Sequence, residues 1–171
     1  GVDVMLGPEM KSTGEVMGLD KKFGSAFARA ALGSGCDLPK GGTAFISVAD
    51  RDKPKAVEIG RKLAGMGFTL AATRGTANAL TAAGIKTAAV NKVLEGSPHI
   101  VDLMNGGGVQ LVVNTTLGKQ AIKDSYSIRR TALLKDIPYS TTIAGAEAFL
   151  EAIKSITEEK MEVLSIQEYH E

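Results

Sequence analysis

Three features of the sequence predict an α/β fold built on one parallel, doubly wound sheet of five strands. Between Thr43 and Ile156, short runs rich in β-branched residues alternate five times with stretches of helical periodicity. No hairpin signal joins two of these runs, so each connection must cross over the sheet, and such crossovers are right-handed. The chain is also rich in Gly and Ala but only 5% aromatic, with no Trp. Small residues suit the close packing of helices on a sheet better than the core of a β-sandwich.

The elements follow in order. Thr43 to Asp50 is the first strand. Pro54 suits the first turn of a helix, on which Ala56, Ile59, Leu63 and Met66 recur at helical spacing until Gly65 and Gly67 stop it. Phe68 to Thr73 is the second strand, and Gly75 to Ala83 a short helix ended by Gly84. Lys86 to Val90 is the third strand, and Pro98 opens a helix that stops at Gly106, Gly107 and Gly108. Val109 to Asn114 is apolar enough for a strand covered on both faces. A helix is expected between Lys119 and Lys135, then a fifth strand at Pro138 to Thr142. The last helix starts near Ala144, with Ala146, Phe149, Leu150 and Ile153 on one face. This pattern is Rossmann-like.

The 171 residues suit one domain with an appendage. Residues 1–36 hold two short segments and a helix whose expected apolar face is Phe23, Phe27, Ala30 and Ala31, with Gly33 to Gly35 as a linker. Residues 37–156 form the domain, and residues 157–171 a tail with a small β-like run, Val163 to Ile166. Gly1 in place of Met fits a processed product or a piece of a longer polypeptide. Lys plus Arg number 20 against 19 Asp plus Glu, so no basic excess favours nucleic acid. The single cysteine, Cys36, excludes an internal disulfide and fits a reducing, cytoplasmic setting. No apolar run approaches the ~20 residues of a membrane span, and no signal-peptide pattern is present.

In an open parallel sheet, ligands bind outside the carboxyl ends of the strands. There the sequence places Asp50 to Lys53, Thr73 to Thr76, Asn91 with Lys92, and Asn114 to Thr116. Hydroxyls, an amide and ammonium groups from four loops would converge on one crevice. Thr73 to Thr76 also opens a helix, where free backbone N–H groups and the dipole favour an anion, and Gly75 permits close approach. Taken singly, Thr76 reads as a cap, the lysines as solvated and Asn114 as a turn residue. Their joint placement points to a phosphate site. Other features carry less. Gly106 to Gly108 precedes a strand, so it reads as a turn and not as a dinucleotide fingerprint. His99 lacks a spaced second ligand, His170 lies in the tail, and Cys36 has no neighbouring His, so no metal or catalytic role is expected for them. Arg129 and Arg130 read as a solvated helix face, and Asp50 and Asp52 show no paired-carboxylate pattern for acid–base work.

The run Gly7-Pro-Glu-Met-Lys-Ser-Thr-Gly-Glu-Val-Met-Gly18 resembles the closing segment of the second ATP-grasp domain in the large subunit of the carbamoyl phosphate synthetase family. Thr73-Arg-Gly-Thr-Ala77, Asn91-Lys-Val-Leu-Glu-Gly-Ser-Pro-His-Ile100 and Asn114-Thr-Thr116 are similar to the family's C-terminal allosteric domain, part of a wider methylglyoxal-synthase-like group. The resemblance implies that residues 1–36 end a synthetase domain and that residues 37–156 bind effectors. It also implies that the active sites lie elsewhere. The longer enzyme would make carbamoyl phosphate for arginine and pyrimidine synthesis, using ATP with Mg or Mn and K, and a glutaminase small subunit. Bacterial members bind UMP as inhibitor and IMP as activator. By motif, Lys53, Thr73, Thr76 and Lys92 match the phosphate-holding positions, and Asn114, Thr115 and Thr116 those around sugar and base. Ser47, Ser125 and Ile128 match further contacts, and Thr141 a position touching ornithine across the border with the synthetase domain. Arg74 stands where a His is common, adding a cation beside the phosphate.

Two alternatives remain at this level. A methylglyoxal synthase would use the same cradle but needs a carboxylate base, and the loop Asn91 to Gly96 offers only Glu95. An assembly module would keep a vestigial crevice and self-associate.

Overall fold

The computed structural model describes residues 16–115, 119–158, 165 and 167–168, with 119–124 as backbone only. Most of the Gly7 to Gly18 motif and the Val163 to Ile166 run therefore fall outside the described residues, as do Thr116 and His170. Helix α1 (Phe23–Gly33) precedes β1 (Thr43–Ser47), a 3-10 turn at Asp50–Asp52 and α2 (Lys53–Gly65). Then come β2 (Thr69–Thr73), α3 (Arg74–Ala82), β3 (Thr87–Val90), a second 3-10 turn at Val93–Glu95 and α4 (Ile100–Asn105). The chain continues through β4 (Leu111–Asn114), α5 (Lys119–Leu134), β5 (Tyr139–Ser140) and α6 (Ile143–Glu158).

The five strands form one parallel sheet in the order β3-β2-β1-β4-β5, the α/β architecture expected. Alternate residues of β1 serve opposite faces, as the pleat requires. Ala44 and Ile46 join Leu70, Ala72, Leu111 and Val113 in a core covered by α1, α2, α3 and α6. Phe45 joins Ala71 and Val112 on the other face, under Ile100 and Met104 of α4 and Ile128 and Ala132 of α5. Close helix packing needs small residues at the contacts. A Cβ at Gly60 of α2 would stand 2.7 Å from Leu80 Cδ2 of α3, and one at Gly24 of α1 2.6 Å from the carbonyl oxygen of Glu151 in α6.

Helix α1 corrects the expected face. Gly24, Ser25, Ala28 and Ala31 are its buried residues, whereas Phe23 is 64% exposed and Ala30 is not buried. Hydropathy favours the phenylalanines, but α6 lies so close that only small side chains fit between the two helices. Ser25 and Ser155 share a 2.6 Å hydrogen bond across this contact. Phe27 is half-buried, its ring 5.8 Å edge-on from that of Phe149.

All five strands are shorter than expected, and the two that lose most, β1 and β5, do so for identifiable reasons. After Ser47, the N–H groups of Val48 and Ala49 donate to the hydroxyls of Thr76 and Thr115 instead of a neighbouring strand. β5 is an edge strand that ends where Thr142 caps α6, its hydroxyl accepting from Gly145 N–H at 3.0 Å. Among the described residues, no helix is long and apolar enough to cross a membrane.

Candidate effector site

The order of strands reverses beside β1: the chain passes to β2 and β3 on one side, then returns to β4 on the other. A crevice opens at the carboxyl ends of the strands at such a switch point. Here it encloses about 410 Å3, within the size range of small-molecule sites. Register fixes its base, since Ser47 pairs with Asn114 at the ends of β1 and β4.

Seven of the expected residues line this crevice: Ser47, Thr73, Lys92, Asn114, Thr115, Ser125 and Ile128. The Thr73 hydroxyl lies 3.3 Å from Ser47 Oγ and 3.4 Å from Thr76 Oγ1, and donates to one or the other. Asn114 Nδ2 donates to Ser125 Oγ at 3.1 Å and reaches the Tyr139 hydroxyl at 3.5 Å. Lys92 is presented by a loop closed on itself, because its own N–H donates to the Glu95 carboxylate at 2.9 Å.

Three expected residues stand off the lining. Thr76 is buried beneath it, where its hydroxyl accepts from Val48 N–H and so anchors the loop after β1 to the start of α3. Lys53 pairs with Asp50 at 2.8 Å, near Gly75 at the start of α3. Thr141 is exposed between β5 and α6. Thr116 lies outside the described residues.

Asp50 and Arg51 line the crevice, where the sequence places the loop after β1, but the contacts around them escape a reading of the sequence. Asp50's carboxyl is held below the usual carboxylate range, first by the hydrogen bond from Lys53 and its charge, and further by the charge of Lys92. Asp52 accepts from the Thr115 hydroxyl at 2.7 Å while that same hydroxyl accepts from Ala49 N–H at 3.1 Å, which ties the loops after β1 and β4 together. Arg129 is not simply solvated: its Nε donates to the Tyr139 hydroxyl at 3.2 Å, and its guanidinium lies 6.0 Å from that ring's centre. Only the order of strands puts Tyr139 beside Asn114, so no local pattern reveals this chain of contacts. His99 instead caps α4, its Nδ1 accepting from Asp102 N–H.

Donors and positive charge thus converge, while each nearby carboxylate is engaged: Asp50 by Lys53, Asp52 by Thr115, Glu95 by its own loop. Such an arrangement is chemically suited to an anion that also carries hydrogen-bonding polar groups.

A family model described as "MGS-like domain" matches residues 55–141, from α2 to just past β5. The chain belongs to the family of MGS-like domains. Relatives cover more of it. The carbamoyl phosphate synthase large chain, C-terminal section, of Methanopyrus kandleri is 54% identical over 171 residues, covering 99% of this chain and 32% of the relative. The carbamoyl phosphate synthase large chain of Pseudomonas putida is 56% identical over 154 residues, covering 90% of this chain and 14% of the relative. This MGS-like domain therefore spans a third or less of those relatives' length. Methylglyoxal synthase from Elizabethkingia anophelis NUHP1 shares the fold, with a TM-score of 0.53 at 19% identity, covering 78% of this chain and 92% of its own.

Proposed function

We propose that this MGS-like domain is the regulatory part of a carbamoyl phosphate synthase large chain, and that its crevice takes nucleoside monophosphates, UMP as inhibitor and IMP as activator. The observation that carries this reading is the graded chemistry of the crevice. Lys92 and Arg51 supply positive charge, Ser47 and Thr73 supply hydroxyls, and Asn114 with Ser125 and Ile128 offers mixed polar and apolar lining for sugar and base. The names of the relatives supply the enzyme in which such regulation would act. In that longer protein, Thr141, exposed beyond β5, would face ornithine together with a neighbouring domain. The glutaminase small subunit would join through the longer chain, and the domain would function in the cytoplasm.

Isothermal titration of this chain with UMP, IMP, UTP, N-acetylglutamate and ornithine tests the reading. Saturable binding of UMP or IMP is expected, with none for ornithine, whose acidic partners would lie in the neighbouring domain. A flat response to every nucleotide would favour an assembly module. The fold shared with a methylglyoxal synthase raises a lyase as the second reading. The engagement of Asp50, Asp52 and Glu95 argues against it, for want of a carboxylate to take a proton from carbon. Formation of methylglyoxal from dihydroxyacetone phosphate would overturn the regulatory reading.

A further inference from the structure

One ion pair at the mouth of the crevice contributes little to holding the fold. Asp50 opens the 3-10 turn after β1, and its side chain is 94% exposed, a setting in which ion pairs add little stability. Its partner is placed differently. Lys53 is only 30% exposed, and a Cβ built on Gly75 would stand 3.5 Å from its Nζ, so the ammonium lies against the start of α3. Lys92 lines the same crevice from the loop after β3, and its charge also acts on Asp50. Two lysines from separate loops therefore bear on one carboxylate. A phosphate entering the crevice would meet Lys92 on the lining and compete for Lys53 just beside it, and two anions cannot share these cations without repulsion.

We propose that Asp50 is a built-in competitor for the effector's phosphate and thereby holds down the affinity of the site for it. The proposal rests on the nucleotide reading given above and names a residue that tunes affinity at that site. A phosphate monoester carries a charge of about −1.5 to −2 near neutral pH, so it outbids a single carboxylate for Lys53 and Lys92. The carboxylate still has to give up those cations and then repels the phosphate, so Asp50 keeps the affinity below what the two lysines alone would give.

The test compares wild type, Asp50→Asn and Asp50→Glu in titrations with UMP, with inorganic phosphate and with uridine, which lacks the phosphate. Asp50→Asn should tighten binding of UMP and of phosphate about two- to fivefold, the size of one exposed ion pair. Uridine should gain nothing, and Asp50→Glu should match wild type because it restores the carboxylate. Unchanged or weaker UMP binding by Asp50→Asn would overturn the proposal, as would an equal gain in Asp50→Glu. If wild type binds UMP and Asp50→Asn shows no gain, the nucleotide reading stands and only this inference falls. If none of the three proteins binds UMP or phosphate, the nucleotide reading falls and takes this inference with it.

Discussion

Thr115 and Lys92 border the same crevice yet do different work, and their substitution should separate structure from binding. The Thr115 hydroxyl is used twice, accepting from Ala49 N–H and donating to Asp52. Thr115→Val keeps the shape and strands both partners, so a loss of about 1–3 kcal/mol in unfolding free energy is expected in denaturant titrations. Lys92→Ala should leave that stability nearly unchanged but weaken UMP by about 1.5–3 kcal/mol, the usual range for a hydrogen bond to a charged group. An unchanged UMP dissociation constant would remove Lys92 from the site. Thr73, Lys92 and Asn114 were legible because each polar residue ends or follows an apolar run, and the switch-point rule places such residues on a crevice. Ser47 was reached only through the family resemblance, since the first strand was expected to run on to Asp50. The positions of Thr76 and Lys53 depend on how α3 packs beneath the loop after β1 and on the partner Asp50 supplies. Spacing along the chain carries neither.

At the scale of elements, strands and most helices were legible because their apolar periodicity is set by the sheet's pleat and the helical turn. The buried side of α1 was not, because its neighbour decides it. Ala28 is 3% exposed and faces α6, so Ala28→Leu should overpack that contact and cost about 1–3 kcal/mol. Phe23→Ala, on the exposed side, should fall within about 0.5 kcal/mol of wild type. The reverse ranking would restore the phenylalanine face. The start of α4 gives a pH-dependent case. The Asp102 carboxyl lies below its ordinary range because it accepts from His99 N–H and then from the Ser97 hydroxyl. A carboxyl with a depressed folded pKa stabilises above its unfolded value, near 3.9, and loses that contribution as pH falls through the folded value. Asp102→Asn should therefore be less stable than wild type at pH 7, the gap closing as pH falls below the unfolded value of about 3.9 and through the lower folded one. A gap that is constant with pH would show that the carboxylate's charge plays no part.

The whole molecule is a sheet whose switch point collects loops from β1, β2, β3 and β4, so a ligand held there touches loops after four of the five strands. The loops after β1 and β4 and the start of α3 are also joined directly, through Thr76 to Val48, Thr115 to Ala49, and Thr115 to Asp52. Opening the site would therefore disturb both faces of the core, and binding should be felt as stability of the entire domain. A ligand that binds only the native state at a hundred times its dissociation constant adds about 2.7 kcal/mol. Domains of this length shift in Tm by roughly 2–4 °C per kcal/mol. UMP at that level should accordingly raise Tm by about 5–11 °C in a thermal scan. For Lys92→Ala at the same UMP concentration, the weakening predicted above should leave less than half of that shift. Uridine should give far less, because it lacks the charge that Lys92 and Lys53 would meet. A Tm that does not move with UMP would mean that the native domain does not bind it. An equal shift in wild type and Lys92→Ala would place the nucleotide somewhere other than this crevice.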